Sequence, residues 1–439
     1  MPEHRFRENE LISLPAPLRA DKLYDFLRNQ FGERGRWWEE ENEPAESRSQ
    51  PLLRLESDNR MRVGNYVGWL HYEGADFRLY PKCWPSDSPP SEQEMIAHLL
   101  HWLQQGKSMR FPMMQQRSGT DNTCQWLPDV LILHFCRFAE RLLRHKPLQR
   151  ISSRHQPVSQ GAGRLNNRQY QRNVAQGNLS AIALERRVPL RDIPLHRILK
   201  HVCERLSKQT KDPQCVGLLS SILQHLQGVG NLKNADPCLC DKVKLSIQEK
   251  TDGYEDLLDM CRFFLHQAPA GSIGARIRHW NLLLPMETLF EDYVARLMES
   301  RFSRQYKVIA QGKNLPDPFL THQKAFRLKP DLFLKNRNPE GDNILIDLKY
   351  KIREDKKVAE RGVKREDMHQ MLSYASALGV SKILLLYPNQ PGRQMQNVSF
   401  SHGGEANEPR VTITAAEIPF VQEGKPSVQK VVDAINALL

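Results

Sequence analysis

Over residues 52 to 84 the runs LLRLES, MRVGNYVGWLHYEG and FRLYPKCW are dense in β-branched and aromatic side chains. Asp58-Asn59 and Gly74 interrupt them, which predicts short strands joined by turns. A polar, proline-bearing PSDSPPS follows, and there the period changes. Ser91 and Glu94 fit a capping box, and Met95, Ile96, Leu99 and Leu103 recur at helical spacing. A loop over 107 to 126 leads to a second amphipathic helix, PDVLILHFCRFAERLLRH, and residues 191 to 267 read as further packing helices, such as PLHRILKHVCERLSK and YEDLLDMCRFFLHQ. From Pro285 the order becomes helix, strands, helix, strand. The expected architecture is a multidomain α+β or α/β chain: a β-rich and basic region over 1–190, a helical middle over 191–274, and a mixed domain over 275–439. No repeat period stands out.

The stretch KPDLFLKNRNPEGDNILIDLKYK, residues 329 to 351, puts charges into two apolar runs that look like paired strands. Asn-Pro and Glu-Gly steps mark the loop between them. Burial sets the register: pairing Leu334 with Ile344 and Leu332 with Ile346 gathers four apolar side chains on one face. That register brings Asp331 opposite Asp347 on the other face, with Lys349 on the same side as Asp347. Facing carboxylates repel unless something positive lies between them, and a hard cation such as Mg²⁺ takes oxygen ligands of this kind. Lys349 is placed to orient a water or to stabilise charge developing on phosphorus. An ion pair between Lys349 and one aspartate at a sheet edge is the plainer account of the same residues.

Two helices flank this hairpin. In VKREDMHQMLSYASALG, Met368, Met371, Leu372, Ala375 and Leu378 form a buried face that Gly379 closes, and SKILLLYP follows as a strand. Gln370 and Tyr374 are neighbours one turn apart on the polar side, with Asp367 a turn before them. Upstream, LPMETLFEDYVARLMES carries Met286, Leu289, Phe290, Tyr293 and Leu297 on its core face. Glu287 and Glu291 share a side of it. Glu291, deeper in the helix and beside Phe290, is the better candidate for the acidic site.

Charge adds one more candidate. Against 63 Lys and Arg stand 51 Asp and Glu, a formal surplus of +12 that favours an acidic partner. From Arg141 to Leu184 there is no acid but eight basic residues, seven of them Arg, with Arg164, Arg168 and Arg172 four apart and Tyr170 among them. Guanidinium forks suit phosphate and an aromatic stacks on a base, so double-stranded DNA is one partner for this run; a solvated face or an acidic protein fits as well. The eight cysteines are scattered, and Cys238 and Cys240 alone make a weak zinc signal, so reduced thiols are expected. MPEHRFRENE has no leader-like apolar core and no run approaches a membrane span, which predicts a cytoplasmic protein with no membrane contact.

The ordered motifs LFE, PD, DLKYK, DMHQMLSYA and LLLYP over residues 285 to 388 resemble the PD-(D/E)xK nucleases, and more narrowly the McrC family, the nuclease subunit of modified-cytosine restriction systems. Gln370 and Tyr374 match the QxxxY motif of RecB-like nucleases. RDIPLHRILKHV and VGWLHYEGADFRLYPK resemble the family's middle and N-terminal segments more loosely. The resemblance implies a restriction-endonuclease-like C-terminal domain with a central mixed sheet flanked by helices. It implies Asp331, Asp347 and Glu291 as ligands of Mg²⁺ or Mn²⁺, Lys349 as the catalytic lysine, and Gln370 and Tyr374 in support. It also implies a partner, a McrB-like AAA+ GTPase that recognises modified DNA and binds the GTP, docked by the N-terminal half of this subunit. This chain has no GxxxxGK[ST] of its own. A stand-alone RecB-like repair nuclease and a non-catalytic adaptor of a motor are the alternatives.

Overall fold

Glu73 and Gly74 both take positive φ, 46° and 79°, and so close a two-residue hairpin of the type that matches strand twist. That turn organises the first part of the chain in the computed structural model, which describes residues 3–31, 53–57, 59–105, 127–148, 150–157, 164–165, 167–178, 183–232, 236–266, 282–310, 315, 328–354, 360–393, 396–403 and 410–439. The expected loop over 107–126 lies outside the described residues.

The chain runs through β1 (Glu3–Arg7), β2 (Leu11–Ser13), α1 (Ala20–Phe31), β3 (Leu53–Leu55), β4 (Arg60–Val63), β5 (Tyr66–Tyr72), β6 (Ala75–Tyr80) and α2 (Glu92–Gln105). Next come α3 (Leu127–His145), β7 (Arg150–Pro157), β8 (Arg164–Leu165), α4 (Asn167–Ala175), β9 (Ala183–Leu190), α5 (Pro194–Gln209), α6 (Pro213–His225), α7 (Ile247–Asp252) and α8 (Tyr254–His266). The last part holds β10 (Leu282–Pro285), α9 (Met286–Arg301), β11 (Tyr306–Ala310), β12 (Leu332–Asn336), β13 (Ile344–Leu348), α10 (Arg365–Leu378), β14 (Lys382–Pro388), β15 (Val398–His402), β16 (Val411–Ile418) and α11 (Val428–Asn436).

These elements form two compact units: Met1–Leu127 with Gln267–Ile273 and His279–Leu439, and Pro128–His266 with Gly274–Arg278. β10 enters the first unit as the edge of the β1-β6-β5-β10 sheet, antiparallel to β5, so the first strands and the last domain share one sheet. Gly68 permits that approach, since a Cβ there would lie 2.0 Å from the Leu282 carbonyl oxygen.

In the first unit, β2-β4-β3 and α1 pack with the four-stranded sheet around Ile12, Leu23, Leu27, Tyr66 and Phe77. The larger sheet has the order β11-β12-β13-β14-β16-β15, antiparallel up to β13, parallel from β13 through β14 to β16, and antiparallel at β15. Met371 and Ala375 of α10 pack on one of its faces with Phe333, Leu345 and Leu385; Leu332, Leu334, Ile344 and Ile346 are buried on the other. Phe420, just beyond β16, is the hub of a cluster. Trp102 of α2 stacks on it at 4.0 Å and donates its indole N–H to the Phe420 carbonyl at 3.2 Å. Phe290 and Tyr293 of α9 meet the same ring edge-on at 4.9 and 5.7 Å. Nearby, the Gln422 N–H donates to His98 Nε2 while His98 Nδ1 lies 2.8 Å from the Glu94 carbonyl, which requires the neutral Nδ1–H tautomer. Burial lowers the His98 pKa in agreement.

The second unit packs its helices around Phe135, Leu199, Leu219 and Phe264, beside a β7-β9-β8 sheet. Cys136, Cys203, Cys215, Cys240 and Cys261 are buried in it, and burial raises every one of those thiols, Cys136 and Cys240 to about 12. Cys238 is exposed. Among the described residues no helix is long and apolar enough to cross a membrane.

Phe420→Ala removes the ring shared by α2 and α9. We expect a loss of about 3–5 kcal/mol in urea denaturation; an unchanged transition would show that the cluster does not tie these helices together.

Candidate functional site

β12 and β13 pair in the expected register, Leu332 with Ile346 and Leu334 with Ile344. Asp331 sits one residue before β12, and its Oδ2 accepts the Leu348 N–H at 2.7 Å. Asp347, 3% exposed, lies within β13 on the face that α10 covers. Lys349 follows, held against β14 by its N–H to the Leu386 carbonyl at 2.9 Å. Strand alternation thus sends Asp347 and Lys349 one way and Leu348 and Tyr350 the other.

On the acidic face, the Lys349 Nζ is 2.7 Å from Asp347 Oδ2 and 3.7 Å from Asp367 Oδ1 of α10. It donates to Gln370 Oε1 at 3.3 Å, and the Gln370 amide donates in turn to the Tyr374 hydroxyl at 3.2 Å. Lys351 closes the far side, its Nζ 3.3 Å from Asp367 Oδ1. So α10 does aim its polar stripe at the hairpin.

Burial and like charge make this a cluster of uneasy acids. Burial, reinforced by the Asp347 charge, pushes Asp331 up to about 7 against the pull of the Leu348 N–H and Lys349. Glu291 is held well above the usual carboxylate range by burial first, then by Asp331, Glu287, Asp292 and Asp347. Asp347 is also raised by burial, with Lys349 opposing. Burial works to lower the Lys349 ammonium, but the Asp347 carboxylate outweighs it and raises the group. Asp347 Oδ2 is buried and lacks a hydrogen bond of ordinary geometry, although the ammonium is close. Oxygen donors of this kind suit a hard divalent cation. Among the described residues, however, no three His, Cys, Asp or Glu side chains are gathered as a ready coordination shell. An ammonium stands at Asp347 instead.

On the opposite side of the strand, the Tyr350 hydroxyl donates to Glu8, a buried carboxylate that also accepts the Lys82 N–H at 2.7 Å. Lys82 Nζ lies 4.1 Å above the Tyr350 ring and donates to Asn65 Oδ1 at 2.8 Å. Asn65 in turn donates to Glu287 at 3.4 Å, and its carbonyl accepts the Met286 N–H at the start of α9. Glu8, Asn65 and Lys82 were not among the residues expected here, and Asp367 was expected only as part of a stripe. The two lysines flanking Tyr350 in DLKYK were the signal that an acid on the next helix would be engaged.

In the second unit, Arg168 and Arg172 are exposed on α4, a helix none of whose residues is buried, with Tyr170 half-buried between them. The Arg164 backbone lies in β8, while its side chain is outside the described residues.

A family model described as "McrBC 5-methylcytosine restriction system component" matches residues 61–388. The chain belongs to that family. It is similar in structure, over 100% of both chains, to a chain of the refined half-complex from the tetradecameric assembly of Thermococcus gammatolerans McrB AAA+ hexamers with bound McrC, with a TM-score of 0.67 and 14% identity. A chain of the Thermococcus gammatolerans McrBC complex aligns with 70% of this chain and 89% of its own length, at 15% identity and a TM-score of 0.47. No curated protein matches.

Because folded Asp331 keeps its proton up to about 7, against about 4 when unfolded, folding takes up protons between those values, and this site's contribution to stability falls as pH rises through them. Asp331→Asn should reduce that fall. Thermal melts of the metal-free protein at pH 5 and 7.5 check it, with the variant expected to gain a few degrees over the parent at the higher pH; equal slopes would show that burial and the Asp347 charge do not hold the Asp331 proton.

Proposed function

We propose that this chain is the metal-dependent DNA endonuclease subunit of a McrBC-like restriction complex, with a PD-(D/E)xK nuclease domain over 275–439. The observation that carries the reading is the arrangement on one buried sheet face: Asp331 and Asp347 brought together by strand register, with Lys349 between Asp347 and Gln370. In this reading Asp331, Asp347 and Glu291 hold Mg²⁺ or Mn²⁺. The cation, when bound, supplies Lewis-acid stabilisation of the phosphodiester and lowers the pKa of a water. Lys349 presents its ammonium to the charge that develops on phosphorus, and Gln370 with Tyr374 holds the lysine in that direction. Family membership and the similar fold of a chain from a McrB–McrC assembly support a partner of the McrB type, an AAA+ GTPase that binds the GTP.

With that partner, GTP and Mg²⁺, the wild type is expected to cleave modified DNA. Asp347→Ala should lower cleavage at least about a hundredfold while stimulation of the partner's GTPase persists, and chelation should abolish cleavage reversibly. Cleavage that survives Asp347→Ala rules the site out. Cleavage without any partner would favour a stand-alone nuclease, and partner stimulation without cleavage by the wild type would favour an adaptor.

We assign the basic run, Arg164, Arg168 and Arg172, to the DNA backbone. Changing all three to Glu should weaken DNA association and lower the slope of log affinity against log salt by about 0.9 for each phosphate that is no longer neutralised. An unchanged slope in a filter-binding or anisotropy titration points to a protein partner instead.

A further inference from the structure

Lys349 has two carboxylates within reach, and only one of them belongs to the acidic pair of the hairpin. Its Nζ sits 2.7 Å from Asp347 Oδ2, a buried oxygen with no hydrogen bond of ordinary geometry, and 3.7 Å from Asp367 Oδ1. An ammonium and a divalent cation at contact distance from one carboxylate oxygen repel strongly in a half-buried site. The ammonium therefore has to step away before Asp347 Oδ2 serves as a ligand. It is 16% exposed, and an unpaired charge there is costly. Among the described residues, the acceptors that α10 offers it are Gln370 Oε1 at 3.3 Å and Asp367. Asp367 stands in the first turn of α10, where the helix dipole favours an acid whatever its other duties. Its depth is what the dipole does not account for: at 6% exposure it is buried against two lysines, with Lys351 on its other side at 3.3 Å.

We infer that Asp367 is a second seat for the Lys349 ammonium, which moves onto it from Asp347 when a divalent cation binds. The inference rests on the nuclease reading above and adds a positioning residue to it. Asp367 touches neither cation nor DNA. It acts through Lys349, keeping the ammonium paired and turned toward the site while Asp347 is engaged.

The test is Mn²⁺ binding to the full chain by calorimetry, with no DNA or cleavage involved, in wild type, Asp367→Asn, Lys349→Gln and the double variant. Without its second seat the ammonium stays on Asp347, so Asp367→Asn should weaken Mn²⁺ about tenfold. Lys349→Gln removes the competitor and should bind at least as tightly as wild type. The double variant should match Lys349→Gln, because Asp367 has nothing left to seat. Asp367→Glu should restore near-normal binding, and Asp367→Ser replaces the Asn variant in the cycle should the latter not fold. An equal loss from Asp367→Asn with and without Lys349 overturns the inference by making Asp367 a direct ligand or a fold determinant. No loss in either background overturns it too. Both results leave the metal site standing. If wild type takes up no Mn²⁺, or Asp347→Ala takes up as much, the nuclease reading fails, and this inference with it.

Discussion

Strand register forces like charges together, and the rest of this site follows from that. Four side chains, Leu332, Leu334, Ile344 and Ile346, are each at most 1% exposed on one face of the β12–β13 pair. Burying each is worth about 1.5–3 kcal/mol, so together they favour this register by several kcal/mol. Sliding one residue would turn them to the other face. Keeping them sets Asp331 and Asp347 at facing positions, where Cβ atoms are generally about 5 Å apart, and two ionised carboxylates at that range repel by roughly 3 kcal/mol at an effective dielectric near 20. Apolar burial wins, and Asp331 and Glu291 stay raised in the folded protein, through their own burial first and the neighbouring carboxylates second.

Relief of that repulsion is then shared among cations held at different distances. Lys349 serves Asp347 and reaches toward Asp367, while Lys351 serves Asp367 from the other side. Alternation along DLKYK makes this possible, since Lys349 and Lys351 share a face while Tyr350 turns away. Tyr350 is used on its own side. Glu8 accepts its hydroxyl, Lys82 covers its ring and Phe290 meets it at 5.9 Å. Burial raises both Glu8 and Tyr350, which keeps a proton within that pair. A strand end locked from one side gives the lysines on the other side a fixed origin.

What could be read from the sequence was whatever repeats locally. The β12–β13 register, the core face of α9 and the buried face of α10 each depend on residues within about one helix or one hairpin of one another, where period and burial suffice. The β5–β10 pairing joins residues more than two hundred positions apart and leaves no compositional mark, so the sheet they share was not legible. Glu8, Asn65 and Lys82 were illegible for the same reason. Each is a polar residue in or beside a β-rich stretch, with its meaning supplied by Tyr350 or Glu287 far along the chain. Asp367 was visible as a stripe residue, but helix periodicity does not say which lysine will face it.

The family match spans residues 61–388, yet the packing that holds Tyr350 reaches beyond it at both ends. Glu8 lies before that span and supplies the carboxylate for the hydroxyl. Phe420 lies after it and stands 6.4 Å from the same ring, while also carrying Trp102, Phe290 and Tyr293. Deleting either flank would leave a buried phenol without its acceptor, or a large void between α2 and α9. The matched region therefore has the acids, the lysines and the strands that pair with β13, but not the carboxylate and the ring that complete the packing of Tyr350. The residue after β1 and the segment after β16 thus act together on Tyr350, the residue next to Lys349.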